Sequence, residues 1–298
     1  MTVEVLATAK VNLRLEVLGR TADGYHELRT SMLALALGDR VCAEAREEAG
    51  VVLSVGGEHS YGVPEDETNL AHRATVALLD HVSSSGGVAL ELEKRVPAGA
   101  GLGGGSADAA AALVAARAAL DLGEDPARDE AILSALGSDT VFFRVAVSGH
   151  ALCEGRGERV TPRRGVGDWS VLLLAPDVHS STSAVYGAFD SVALEERSDE
   201  APFFDDCTAL EAREHLFNHL EASALALYPE LSAWRAVLDS AGLDHACLTG
   251  SGASFFALYD SEDEARAALE EVLARSSDLP SPRLACVTAP AGGISLPL

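Results

Sequence analysis

From Pro97 to Ser106 the chain reads Pro-Ala-Gly-Ala-Gly-Leu-Gly-Gly-Gly-Ser, with five glycines in the seven residues Gly99–Gly105, and it runs straight into Ala107-Asp108-Ala109-Ala110-Ala111-Ala112. No other segment restricts the fold as much. Glycine has no Cβ to hold a ligand off the backbone, so its N–H groups can converge on an anion. Alanine is the strongest helix former, and Ser106 is a natural N-cap for a helix over Ser106–Leu120. The positive end of that helix adds about half a charge at the same place. The segment therefore predicts a phosphate cradle. Asp108, at the first turn, reads as a helix-stabilising carboxylate more than as a catalytic one.

The cradle stands out against the rest of the molecule. The formal charge is −24, which repels nucleic acid and anionic membranes. An anionic ligand must be captured by local donors. Two rival phosphate loops fail on context. A Walker A loop ends in Gly-Lys-[Ser/Thr], and no lysine follows Gly105. The spacing Gly99-x-Gly101-x-x-Gly104 fits a dinucleotide loop on paper. That fold needs an acidic residue at the end of a second strand, and Asp121 follows a helix.

Length and pattern set the organisation. The 298 residues, 48% of them hydrophobic, suffice for one large domain or two ordinary ones. No apolar run reaches the roughly 18 residues of a membrane span, and Met1–Lys10 lacks the features of a secretory signal, which points to the cytoplasm. The five cysteines are scattered and never spaced as CxxC, so neither a disulfide framework nor a zinc site is expected. Strands are predicted over Val3–Val17, Thr30–Leu37, Asp39–Ala45, Val51–Val55, Val88–Arg95, Thr140–Val147 and His150–Glu154, with turn chemistry at Gly19–Gly24. Helices are predicted over Asn69–Val82 and Asp129–Leu136. A boundary near residue 160 divides the chain into 1–160 and 161–298. The second part reads as strands Ser170–Ala175, Ala246–Thr249, Ala253–Tyr259 and Arg283–Val287. Its helices are Ser181–Phe189, Cys207–Tyr228, Pro229–Ala241 and Glu262–Ala274. Glu195–Phe204 reads as an acidic surface loop. The mixture of strands and helices predicts an α+β fold.

Against 20 arginines the chain has two lysines, Lys10 and Lys94. Arginine does not replace lysine where a compact ammonium is required, so both positions are marked for attention.

The segment Pro97-x-x-x-Gly-Leu-Gly-Gly-Gly-Ser-x-Asp resembles the second motif of the GHMP kinases. Ala9-Lys10-Val11-Asn12-Leu13 looks like their first motif, and Leu248-Thr249-Gly250-Ser251-Gly252-Ala253 like their third. Leu136-Gly137-Ser138-Asp139 matches the catalytic segment. Ala22-Asp23-Gly24-Tyr25-His26 is similar to a motif of the branch acting on a cytidine-diphosphate-linked methylerythritol. The matches keep the family's order and span residues 9 to 256.

The resemblance implies a two-domain GHMP kinase fold, with a ribosomal-protein-S5-domain-2-like N-terminal domain and a ferredoxin-like C-terminal domain. It implies an enzyme that uses ATP and Mg²⁺ to phosphorylate the 2-hydroxyl of that small molecule in non-mevalonate isoprenoid synthesis. The expected partner is the small-molecule substrate, with no nucleic acid and no membrane, for a monomer or homodimer. Asp139 is the implied base and Lys10 its catalytic partner. ATP is expected at Asn69, Lys94, Pro97, Gly99, Gly101, Leu102, Gly103, Gly104, Gly105 and Ser106, with Ser106 also facing Mg²⁺. Tyr25, His26 and Tyr186 are expected to hold the cytosine, where an aromatic face can stack a base. Asn12 and Thr182 are expected at the alcohol's hydroxyls, and Gly250, Ser251 and Gly252 alongside the substrate. Two departures matter. Thr140-Val141 stands where the family usually has Val-Pro, and Ala107 replaces a second serine. The alternatives are another GHMP kinase acting on homoserine or a sugar, which has no base to stack, or an inactive nucleotide-binding regulator, which would not need both Lys10 and Asp139.

Overall fold

The computed structural model describes residues 1–21, 24–189, 204–294 and 296. The first half carries β1 (Thr2–Arg20), β2 (His26–Arg46), β3 (Gly50–Gly56), α1 (Leu70–His81), β4 (Gly87–Glu93), α2 (Gly104–Ala119), α3 (Pro126–Ser134), α4 (Thr140–Val145), β5 (His150–Gly155) and β6 (Arg159–Pro162). The second half carries β7 (Ser170–Ala175), α5 (Thr182–Phe189), α6 (Ala209–Arg213), β8 (Phe217–Asn218), α7 (Glu221–Leu227), α8 (Pro229–Ser240), β9 (Cys247–Leu248), β10 (Phe255–Tyr259), α9 (Glu262–Arg275) and β11 (Leu284–Thr288).

Two sheets organise these elements. In the first, the order is β3-β4-β2-β1-β8, with β5 also paired to β2 and β6 to β5. β3 and β4 are parallel, so α1 is the crossover between them. In the second, the order is β11-β7-β10-β9, antiparallel throughout. Counted within that sheet the strands run fourth, first, third, second, which is the ferredoxin-like arrangement.

The long strand β1 joins both halves. Ala7, Ala9, Val11 and Leu13 are fully buried. Val5 and Ala7 enter the core under α1 and α2, Ala9 to Leu13 a middle core, and Leu15 and Val17 the core of the second half. Register shifts at Thr8/Ala9 and Asn12/Arg14 bend the strand between these cores. The opposite face of the same stretch carries Thr8, Lys10 and Asn12, polar yet buried.

Helix α2 is buried on all sides from Ala107 to Arg117. A helix apolar all round belongs in a core. Its alanines let the sheet, α1 and α4 approach closely, and together they hold its N-terminus rigidly at the cradle.

The structure corrects three expectations. Thr140–Val147 is not a strand: Thr140–Val145 is a helix. Thr140, Val141, Phe142 and Phe143 are all buried, and the Thr140 hydroxyl donates to the carbonyls of Leu133 (2.5 Å) and Gly137 (2.7 Å). A short apolar run is ambiguous by periodicity, and tertiary packing decides it. Cys207–Tyr228 is not one helix. Thr208 and Glu211 form a capping box that starts the short α6, after which Phe217 and Asn218 pair with Arg14 and Leu15 of β1. Ser106 is not the N-cap of α2. The helix begins at Gly104, with Gly103 as N-cap in the left-handed region.

The two halves interlock. β6 carries the first sheet to Pro162, and β8 returns to its edge. Pro290 bridges to Leu35, Ala291 N–H donates to Ala34 O, and Ile294 packs into the first core. Of the expected acidic loop, 195–203 lies outside the described residues, as do Ala22 and Asp23; Phe204 is buried.

Candidate active site

The cradle is shaped by alternation. Gly99, Gly101 and Gly103 have φ of +71°, +78° and +72°, a conformation that disfavours a side chain. The residues between them turn their carbonyls to the protein. Ala98 O accepts from Arg283 Nη1 (3.0 Å), Ala100 O from Ser254 N–H (3.2 Å) and Leu102 O from Lys10 N–H (2.9 Å). No backbone N–H from Gly99 to Ser106 finds a partner among the described residues. Such a run of unpaired amides, ending at a helix N-terminus, is an anion site.

This loop is a wall between two cavities. One, of about 400 Å³, is lined by Pro64, Asn69, Lys94, Asp108 and the whole stretch Pro97–Ser106. The other, of about 970 Å³, is lined by Lys10, Asn12, Tyr25, His26, Asp139, Thr182, Tyr186, Gly250 and Ser251. Gly99, Gly101 and Gly103 border both. The close approach is strict. A Cβ at Gly101 would lie 2.5 Å from Thr249 O, and one at Gly103 2.9 Å from Lys10 Cγ. Gly252 borders neither cavity; its carbonyl packs against Gly101.

Lys10 and Asp139 meet at the wall. Lys10 Nζ lies 3.4 Å from Asp139 Oδ2 and donates to Asn12 Oδ1 at 2.7 Å. Lys10 is 4% exposed, and the Asp139 side chain 30%. Asp139 precedes α4 and makes no capping hydrogen bond, so its carboxylate is left for the cavity. Asn12 is saturated. Its amide donates to Thr30 Oγ1 (2.8 Å), and its Oδ1 also accepts from Thr249 Oγ1 (3.2 Å). Asn12, expected at the substrate's hydroxyls, borders the larger cavity and also orients Lys10. Thr182 bonds Ser251 through their hydroxyls (3.0 Å), and Ser180 Oγ donates to Ser251 O (2.7 Å). These bonds tie α5 to the third glycine motif.

At the far end the rings of His26 and Tyr186 lie 4.7 Å apart at 33°. Tyr25 is exposed, with the Arg156 guanidinium 4.8 Å from its ring centroid. Burial and the charge of Asp139 raise the Tyr186 phenol well above its ordinary value, so it stays neutral. The same two influences keep the buried Cys153 thiol protonated behind the pair, against the pull of Lys10.

On the side of the smaller cavity, Asn69 caps α1. Its Oδ1 accepts from Ala71 N–H (2.9 Å) and its amide donates to Pro64 O (2.8 Å). Lys94 borders the cavity, but its ammonium faces the carboxylates of Asp39 and Asp108. Among the described residues no group of three or more His, Cys, Asp or Glu could hold a metal ion, and Ser106 offers one hydroxyl at the cradle.

Sequence reasoning overlooked several residues here. Arg20, Arg156 and His179 border the larger cavity. Asn218 donates to Leu248 O (2.7 Å) and Gly250 O (2.8 Å) and accepts from Leu220 N–H (2.9 Å), so it braces the third glycine motif. The only local signal for these was Gly155-Arg156-Gly157, a tight turn whose Gly157 abuts Asp139.

Known proteins resemble this chain over most of its length. Residues 69–143 match the GHMP kinases N terminal domain, and residues 204–278 the GHMP kinases C terminal domain. The 4-diphosphocytidyl-2-C-methyl-D-erythritol kinase of Citrifermentans bemidjiense is 36% identical over 269 residues, covering 90% of this chain and 94% of that protein. A crystal structure of 4-(cytidine 5'-diphospho)-2C-methyl-D-erythritol kinase superposes with a TM-score of 0.74 at 34% identity, covering 97% of this chain and all of that one. Homoserine kinase from Cytophaga hutchinsonii reaches a TM-score of 0.73 at 16% identity, covering 99% of this chain and 97% of that one, a likeness of fold alone. In this chain α2 and the cradle lie inside the first matched domain, and Asp139 four residues from its end.

Proposed function

That the chain belongs to the 4-diphosphocytidyl-2-C-methyl-D-erythritol kinase family of GHMP kinases is the premise from which we propose its reaction, transfer of the terminal phosphoryl group of ATP to the 2-hydroxyl of 4-diphosphocytidyl-2-C-methyl-D-erythritol in non-mevalonate isoprenoid synthesis. The observation that carries it is the position of Lys10 and Asp139. They stand 3.4 Å apart beside a glycine wall that borders a cradle of bare amides on one side and an aromatic-ended cavity on the other.

ATP occupies the smaller cavity, its phosphates against the unpaired amides of Gly99–Ser106. The alcohol occupies the larger one, its cytosine at Tyr25, His26 and Tyr186. Asp139 accepts the hydroxyl proton as the oxygen attacks the γ-phosphorus. The new O–P bond forms as the bond to the β-phosphate oxygen breaks, and ADP leaves. Lys10, locked by Asn12 and paired among the described residues with Asp139 alone, places its charge where the transferred oxygens gather negative charge. Mg²⁺ fits as an ion carried mainly by the nucleotide's phosphates and water, with Ser106 as the protein's hydroxyl, and when bound it neutralises phosphate oxygens. The five cysteines are free thiols, which suits a reducing compartment such as the cytoplasm.

The test is an assay of ADP release with purified protein, ATP, Mg²⁺ and either the cytidine alcohol or homoserine. Turnover of the cytidine compound is expected. Turnover of homoserine alone would refute the assignment.

A further inference from the structure

Three buried ionisable groups take no part in this chemistry. Lys94 is 2% exposed, and its ammonium donates to Asp39 and, at 2.5 Å, to Asp108. Asp39 is fully buried on β2, and its Oδ1 accepts the N–H groups of Arg95 (2.5 Å) and Val96 (2.8 Å). Arg95 and Val96 lead directly into Pro97 and the cradle, and Asp108 lies on α2 just beyond it. Both ends of the phosphate loop are thus fastened to Asp39 on one strand, the first directly and the second through the Lys94 ammonium. The fastening lies against the helix tip, because a Cβ at Gly104 would sit 3.5 Å from Asp39 Oδ2. The main chain of Lys94 is held as well. Its N–H donates to Gly56 O (2.8 Å), and its carbonyl accepts from His59 N–H (3.1 Å).

We propose that Lys94 is a positioning residue of the nucleotide site, which sets the shape of the phosphate cradle by joining Asp39 to Asp108 and makes no contact with phosphate. The proposal rests on the reading of the cradle as the ATP site. An ammonium that turned toward a phosphate would strand two buried carboxylates, and breaking a buried pair is strongly destabilising. A compact ammonium with tetrahedrally arranged donors suits two converging carboxylates, which accounts for a lysine in a chain that otherwise uses arginine.

One positive charge against two negative ones leaves an unfavourable balance beneath an anion site. Burial raises Asp108 to about 7, opposed by Lys94 and reinforced by Asp39. Burial works against the charged form of Lys94, but Asp108 and Asp39 outweigh it and raise the lysine. Among the described residues Asp108 Oδ1 has no hydrogen-bond partner, which leaves it able to carry the proton. The charged groups acting on Asp108 are Lys94 at the end of β4 and Asp39 on β2, and His59 lies against the lysine as a third titratable neighbour. Phosphate above this group favours its protonated form. Proton uptake then accompanies nucleotide binding, and affinity rises as pH falls through about 7.

The test compares wild type, Lys94→Met, Asp108→Asn and the double variant, using the KM for ATP and the affinity for ADP. Lys94→Met removes the cation that draws Asp39 and Asp108 together and leaves the buried Asp39 without its counter-charge, and the KM for ATP should rise at least ~10-fold. Adding Asp108→Asn supplies an amide that can donate to Asp39, and the KM should return to within ~3-fold of wild type. A double variant still ~10-fold impaired would mean that Lys94 binds phosphate directly, and would overturn the proposal. That comparison stands even where Lys94→Met alone is too unstable to assay. Asp108→Asn should flatten the change in ADP affinity between pH 6 and pH 8, the ligand's own ionisation being common to both proteins; an unaltered pH dependence would also overturn it. Wild type that binds no ADP would instead remove the kinase reading together with this one.

Discussion

Replacing Gly103 by alanine is the sharpest single perturbation of the site. Gly103 is the N-cap of α2 with φ +72°, and an added Cβ would lie 2.9 Å from both Lys10 Cγ and Phe143 Cζ. Neither neighbour can step aside without losing contacts of its own. Phe143 is fully buried, and Lys10 is held at its tip by Asn12 and Asp139. The left-handed backbone costs an L-residue about 1–2 kcal/mol, and forced overpacking about 1–3 kcal/mol. The stiffer unfolded chain offsets about 0.4–1 kcal/mol of this. The net loss is about 1–5 kcal/mol, which lowers the thermal midpoint by several degrees. Lys10 must shift to relieve the contact, and a displacement of about 1 Å at a positioned group costs about 10²-fold in rate. Differential scanning calorimetry and steady-state turnover of the cytidine alcohol measure both effects. Gly123→Ala, with nothing within 4 Å of the new Cβ, serves as the control. A Gly103→Ala enzyme with wild-type midpoint and a kcat within ~3-fold of wild type would refute the claim that the wall and the lysine are in rigid contact.

Asp139→Asn should lower kcat by about 10²–10⁴-fold with little change in ADP affinity, since the carboxylate faces the other cavity; unchanged turnover would remove it from the base role. Tyr186→Ala should raise the KM for the cytidine alcohol by about 5–150-fold, the equivalent of about 1–3 kcal/mol of stacking, while Tyr186→Phe keeps the ring and should change it far less. Equal effects of the two variants would argue against stacking. His150 is buried, which lowers its pKa despite the Arg164 carbonyl and Asp205 beside it. A neutral imidazole in the fold and one titrating near 6.5 when unfolded mean that stability is full above about pH 6.5 and is lost as pH falls through the lower folded value. Urea unfolding at pH 7.5 and 5.5 should show this decline, and His150→Gln should weaken it; an equally steep decline in the variant would exclude His150 as a source.

How much of this could be read in advance depends on the range of the interaction. Glycines at 99, 101 and 103 announce themselves because no other residue adopts their backbone freely. Strand and helix order in the second half predicts an α+β layer, and its ferredoxin-like arrangement is expected only through the family resemblance. The helix start at Gly104 is not legible, since a serine hydroxyl and a left-handed glycine are both acceptable caps and the surrounding fold chooses. Thr140–Val145 has the composition of a strand, and burial on every side makes it a helix. The meeting of Lys10 with Asp139 was anticipated only through family resemblance. Asn218 left no trace at all, because its three bonds are made to main-chain atoms whose identity no pattern encodes.

The return of residues 289–294 to the first sheet has a consequence for how the protein is born. Ile294 N–H donates to Phe143 O, and Gly293 N–H to Val147 O, so the last described stretch buttresses the phenylalanine that backs Lys10. A ribosome that has delivered the glycine wall, the lysine and the aspartate has still not delivered their support. The nascent chain reaches a finished pocket only once synthesis has passed residue 294, and its amino-terminal half, expressed by itself, would lack both that prop and the β8 edge.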